Sequence, residues 1–233
     1  MMKIRFSFPV LLLTACVAQG TAPVVGEGAP QGTTADKLMP EKPRMLFDRV
    51  QSDIAAAEGE AIAALPSVIE EFTASGPVAD RESNQRGAGF TRVYTDESGE
   101  IVVTVFIYNN QDLGLTDDIT PAAEALLDRH LQEIKQMESS GLYSDVKIGD
   151  RRAPRELRWR REKFRIIEGD AQFVQNDERK MTVVMLASDK RLMSYVRVRF
   201  TYPRETRWKI EEKKGRFMAT VLYALREITK VPQ

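Results

Sequence analysis

Residues 89–109, GFTRVYTDESGEIVVTVFIYN, decide the fold. Two runs rich in β-branched and aromatic residues flank a turn at residues 96–99, the pattern of an antiparallel strand pair. In the second run, residues 102–108 are apolar at nearly every position. That predicts a central strand covered on both faces rather than on one.

Upstream, Phe47, Val50, Ile54, Ala57, Ala61 and Leu65 recur at three and four within residues 44–65, which predicts a helix closed by Pro66. Residues 68–72 read as one short strand. Downstream, Thr120 and Pro121 supply a cap and a first-turn proline, Leu127, Leu131, Ile134 and Met137 form a stripe, and Gly141 stops the helix. Residues 142–148, 163–174, 181–188 and 192–202 read as strands, the last two joined by a tight turn at 189–191. A closing helix over about residues 205–230 carries Met218, Val221, Leu222, Leu225 and Ile228 at helical spacing, with Gly215 expected to weaken or kink it. The predicted class is therefore α+β: a mainly antiparallel sheet of about six to seven strands with helices packed on it.

Two stretches carry a resemblance: VVTVFIYNN, followed by a polar loop and a helix, and RLMSYVRVRFTYP, leading into the last helix. Together they resemble proteobacterial lipoproteins of unknown function whose domain is similar to the PsbP-like α/β/α sandwich, over about residues 65–230. The resemblance implies a binding or assembly factor and transfers no catalytic residue.

The N-terminus has its own logic. Lys3 and Arg5 precede an almost wholly apolar run that ends in small residues before Cys16, the layout of a secretory signal peptide over residues 1–15. The run is roughly half of the about 20 residues needed to span a bilayer as a helix. Leu13, Thr14, Ala15 and Cys16 resemble the bacterial lipoprotein box, which implies acylation of the Cys16 sulfur and cleavage before it. One acyl chain binds marginally, and the three that the resemblance implies would hold the chain on a bilayer, each buried methylene contributing about 0.8 kcal/mol. Val17 after the cysteine is similar to an outer-membrane sorting signal, so the expected location is the periplasmic face of the outer membrane if the host is Gram-negative. Residues 16–43, dense in Gly, Pro, Ala and Thr, read as a flexible linker with a reach of roughly 30 Å. Residues 44–233 then form a single globular domain. Cys16 is the chain's 1 cysteine, so that domain is expected to hold without disulfides.

The available chemistry is narrow. The chain has 1 histidine, His130, which excludes His-rich metal sites and reads as a helix residue at the margin of the apolar face. No G-x-S-x-G elbow and no phosphate-binding G-x-x-x-x-G-K-[ST] loop occurs. RGAGF at 86–90 reads as a loop or bulge before a strand. Asn109, Asn110, Asp112, Asp117 and Asp118 offer oxygen ligands, but their spacing matches no calcium loop, and a solvated turn is the better reading. No cofactor or metal is implied.

Charge is the unusual feature. The net charge is +0, yet residues 48–148 carry 19 acids and 7 bases while residues 149–233 carry 12 acids and 22 bases. The sharpest piece is RRAPRELRWRREKFR, residues 151–165, with Trp159 and Phe164 among eight bases. Strand alternation would put Arg158 and Arg160 on one face and Leu157 and Trp159 on the other. Arg158, Arg160, Arg161 and Lys163 are then candidate contacts for an anionic envelope protein or a lipid headgroup. The alternative is that these bases pair with the acidic half across the same sheet. Nucleic acid is disfavoured by the extracytoplasmic address. The functional expectation is a non-enzymatic, membrane-anchored binding or assembly lipoprotein. A small-ligand or lipid binder is the alternative, and an enzyme has only scattered carboxylates to support it.

Overall fold

The computed structural model describes residues 41–229, so Cys16, the signal segment and most of the linker lie outside the described residues. The elements run in the order α1 (Glu41–Ala63), β1 (Val68–Ile69), β2 (Phe72–Ala74), β3 (Ala79–Asp80), β4 (Phe90–Thr95), β5 (Val102–Tyr108), α2 (Pro121–Ser139), β6 (Ser144–Ile148), β7 (Arg152–Trp159), β8 (Glu162–Gln175), β9 (Glu178–Asp189), β10 (Ser194–Pro203) and α3 (Arg207–Ile228). All described pairings are antiparallel, in the order β1-β2-β4-β5-β10-β9-β8-β6, with β3 added on β4 and β7 on β8. The α+β class holds, with ten strands where about six to seven were expected. The surplus is short edge pairing: residues 68–72 fold into the β1–β2 hairpin at Glu70, whose φ is 53°, and the basic stretch becomes β7. Helix α1 begins at Glu41, inside the stretch read as linker.

β5 lies between β4 and β10, in the sheet interior. Its residues alternate. Val103, Val105 and Ile107 are buried with Val196, Val198, Phe200 and Tyr202 of β10 and Met181, Val183 and Met185 of β9. This first face is covered by Ala61 and Ile62 at the end of α1, by Leu65 just beyond it, and by Ile210, Phe217, Met218, Val221, Leu222 and Leu225 of α3. Its centre is an edge-to-face aromatic set in which Phe217 meets Phe72, Tyr94 and Phe200 at centroid distances of 5.6, 5.5 and 5.4 Å. α3 runs through Gly215 without interruption, and Ile228 is exposed at its end.

The second face is covered by α2. Thr120 Oγ1 accepts the Ala123 N–H at 3.2 Å, Pro121 occupies the first turn, and Gly141 at φ 72° follows the helix end, as expected. Leu126, Leu127, Leu131 and Ile134 are buried, whereas Met137 lies one turn too far and is exposed. The helix seats on Gly169, where a Cβ would stand 2.7 Å from Leu131 Cδ1. α2 therefore packs on β6, β8 and β9. Val102, Thr104 and Phe106 of β5 remain half-buried, so the expectation of cover on both faces fails for the second face.

Turns explain the register. Asn176 and Asp177, at φ 54° and 63°, make the two-residue β8–β9 turn that right-twisted hairpins favour. The β9–β10 connection is longer than the expected tight turn. Asp189 Oδ1 accepts from the N–H groups of Arg191 and Leu192 and organises residues 190–193. Gly89, at φ 63°, would put a Cβ 2.0 Å from the Ile107 carbonyl, and Glu82 accepts the Gly87 and Gly89 N–H groups. RGAGF is a loop that only glycine permits.

One buried acid docks α1. Glu58 is 1% exposed, and Ser194 Oγ lies 2.6 Å from its Oε1 and 2.9 Å from the Leu192 carbonyl. A single hydroxyl proton serves only one of these, but a protonated Glu58 donates to Ser194 and frees that proton for Leu192. Burial raises the Glu58 pKa from 4.5 to about 7, opposed by the Ser194 hydrogen bond and assisted by Glu82. A raised folded-state pKa stabilises fully below about 4.5 and loses that stabilisation as pH rises through about 7. From about pH 4 to about pH 9 the protein is therefore expected to lose about 3 kcal/mol relative to Glu58→Gln, measured by urea unfolding of both proteins. Parallel pH profiles would contradict this reading.

Candidate functional site

The basic stretch forms the hairpin β7–β8, whose two-residue turn is Arg160 and Arg161. Leu157 and Phe164 are buried and Trp159 is half-buried toward the core shared with α3, so the predicted apolar face is correct. Alternation ends at Trp159, however. Arg160 sits in the turn at φ 55° rather than beside Arg158, and its guanidinium stacks 4.8 Å from the Tyr223 ring while donating to Tyr223 OH at 3.1 Å. Beside it, Arg226 of α3 reaches Glu162 at 2.7 Å over the ring of Phe164. These two arginines pin the hairpin to α3.

The eight bases divide by role. Arg152 and Arg155 lie 2.5 and 3.0 Å from Glu168, which is 1% exposed, and Lys214 Nζ reaches the same carboxylate at 3.0 Å. Burial alone would raise the Glu168 pKa, yet Lys214 and then Arg155 hold it below the usual carboxylate range. Glu211 closes the network on Lys214 at 2.7 Å and on Arg152 at 3.4 Å. Arg151 bridges to Glu124 and Asp128 of α2, and Arg165 to Asp118, so both do pair with the acidic half.

Three bases are left. Arg158 and Lys163 stand directly opposite each other across the hairpin, 71% and 62% exposed, and share one carboxylate, Glu156, at 2.7 and 3.5 Å. The hydrogen bond from Arg158, then Lys163, holds the Glu156 carboxyl below its ordinary value. Arg161 is exposed and has no ion-pair partner among the described residues. A groove of about 330 Å³ runs between β7 and α3, lined in part by Arg158 itself with Trp159, Arg155, Arg216, Gly215 and Ala219.

The other candidates are scattered. Asp112 accepts from Tyr195 OH at 2.9 Å, Asp117 from the Lys190 N–H at 2.9 Å, and Asp118 pairs with Arg165, so these acids serve separate partners in one loop. His130 is buried at the margin of α2, as expected, with Nε2 2.7 Å from Tyr108 OH and Nδ1 3.0 Å from Glu133. Burial lowers its pKa, the Glu133 hydrogen bond opposing, which favours the neutral ring. Arg197 completes that cluster and was not singled out from sequence. The signal was present in SYVRVRFTY, where period-two spacing puts Tyr195, Arg197, Arg199 and Thr201 on one face. Among the described residues, no helix is long and apolar enough to cross a membrane.

No protein-family model and no curated protein matches the chain. Among solved structures it is similar to cyanobacterial PsbP (CyanoP) from Synechocystis sp. PCC 6803, at 10% identity and a TM-score of 0.41, over 68% of this chain and 91% of that one. It is also similar to the Saccharomyces cerevisiae Ran-binding protein Mog1p, at 12% identity and a TM-score of 0.32, over 70% and 90%.

The division of the bases has a direct consequence for stability. Lys214→Met is expected to cost about 3 kcal/mol, because Glu168 keeps only its two half-exposed arginines. Arg158→Ala is expected to stay within about 0.5 kcal/mol of the parent. Urea unfolding of both variants checks this, and equal effects would contradict the division.

Proposed function

We propose that the chain is a non-enzymatic, lipid-tethered extracytoplasmic protein that binds an anionic envelope component, a protein or a lipid headgroup, through the outer face of the β7–β8 hairpin. The observation that supports it is the direct opposition of Arg158 and Lys163 over a single shared carboxylate, with Arg161 unpaired at the turn. Like charges facing each other across a strand pair are unfavourable, and an anion supplied from outside relieves them. Arginine at the turn offers the bidentate fork that carboxylates and phosphates accept. In this reading acylated Cys16 anchors the protein to the bilayer, at the periplasmic face of the outer membrane in a Gram-negative host, and the linker sets the reach.

A small-ligand or lipid binder is the second reading, and the groove between β7 and α3 favours it. At about 330 Å³ the groove lies at the low end of ligand pockets and is lined by charged as well as apolar groups. An enzyme finds less support, because His130 and the loop carboxylates are committed to separate neighbours.

Combined charge reversal, Arg158→Glu with Arg161→Glu and Lys163→Glu, tests the reading. In-cell crosslinking of the acylated protein and sedimentation with anionic vesicles are expected to lose capture while thermal stability holds. A Cys16→Ser protein is expected to lose radiolabelled palmitate and membrane association. Unchanged capture would refute the basic-hairpin reading, and unlabelled parent protein would refute the tether.

A further inference from the structure

The second face of the sheet is only half covered. α2 packs on β6, β8 and β9, and the adjoining strands β10, β5 and β4 present two directly paired rows on that side. One row is Thr91, Phe106 and Arg197, and the next is Val93, Thr104 and Arg199. Apart from buried Thr91, these residues are half-buried. Along this side Tyr108 of β5 is buried against His130 of α2, whereas Val102, Thr104 and Phe106 are only partly covered by the described residues.

Three guanidinium groups converge there. Arg197 lies 3.8 Å from the Phe106 centroid and Arg81 lies 5.7 Å from it. Arg81 Nε donates to Thr91 Oγ1 at 3.0 Å, and Arg199 donates to Thr182 Oγ1 at 3.1 Å and Tyr143 OH at 3.2 Å. Neither Arg81 nor Arg199 has a carboxylate partner among the described residues. Glu133 faces Arg197 at 3.7 Å, and the buried Arg197 Nε has no hydrogen-bond partner. Arg81 and Arg199, held on hydroxyls and an aromatic ring, lack counter-charge while being pre-positioned to receive it.

We propose that this open face, centred on Arg81, Arg197 and Arg199 around Phe106, docks an acidic, extended segment of a partner protein. The choice of occupant rests on shape and charge. The face is a strand surface, and two clefts of the described residues lie away from it, beside Trp159 and beside Lys209. A small anion would stay largely exposed on it, whereas an extended segment lies along it. Arg197 and Arg199 are two residues apart on one side of β10, about 7 Å, which is also the spacing of alternate side chains in an extended peptide. Acids at every second position therefore meet both guanidinium groups, and the residues between them face away. This surface is distinct from the hairpin, so the inference stands apart from that reading.

The test uses the full-length protein in detergent and two fluorescent peptides of equal composition, one with glutamate at every second position and one with its glutamates in a block. Anisotropy is expected to show tighter binding of the alternating peptide. Arg81→Ala with Arg199→Ala should weaken that binding about tenfold or more, and the triple hairpin reversal should leave it unchanged. Thr104→Glu, which adds a negative charge to the face without touching an arginine, should abolish binding and covers the case in which the alanine variant unfolds. The proposal is overturned if neither peptide binds, if the block peptide binds as well, if Thr104→Glu has no effect, or if inorganic phosphate binds saturably while the peptide does not.

Discussion

The in-register pairing of β5 with β10 is the constraint on which the rest of the structure depends. With Val105 opposite Val198 and Phe106 opposite Arg197, every side chain of the two central strands is assigned to a face. Val103, Val105, Ile107, Val196, Val198 and Phe200 fall on the side of α1 and α3, where they are fully buried. Phe106, Arg197 and Arg199 fall on the other. A one-residue slip would drive two arginines into the aromatic set around Phe217. The register is thus enforced by the cost of burying charge as much as by apolar gain.

Charge sorts along the same line. The acidic and basic halves of the chain cross-pair in part, through Arg151 with α2 and Arg165 with Asp118. The most buried charges follow a different logic. Glu168 lies on the helix-covered face among Lys214, Arg155 and Arg152, all from the basic half of the chain. One interior carboxylate thereby absorbs three cations and joins α3 to the hairpin. Arg161 at the hairpin tip and Arg81 and Arg199 on the open sheet face are not absorbed in this way.

Much of this was legible in the residues. The strand pair at 89–109, the Thr120–Pro121 start and Gly141 stop of α2, and the apolar stripe of α3 follow from local chemistry that the tertiary structure leaves intact. What was not legible depends on long-range placement. Residues 68–72 read as one strand, but their split into a hairpin and the addition of β3 depend on the edge that β4 offers to β2 and β3. Arg160 leaves its expected face because a two-residue turn interrupts alternation and Tyr223, 63 positions away, receives its guanidinium. Glu58 falls at helical spacing between Ile54 and Ala61, a sign of burial that was passed over, but the partner that makes its burial tolerable, Ser194, lies at a separation of 136. The apolar character of β5 predicted two covered faces, and whether α2 would reach that far depended on its seat at Gly169.

The most direct test of this architecture uses the absence of cysteine after Cys16. In a Cys16→Ser background, single cysteines replace Thr104 on the open rows and Val184 beneath α2, and maleimide labelling rates are compared in native protein and in urea. The account expects Thr104→Cys to react readily in the native state and Val184→Cys to react only on unfolding. Equal protection at both positions would show that the second face is sealed throughout, contradicting the half-covered sheet.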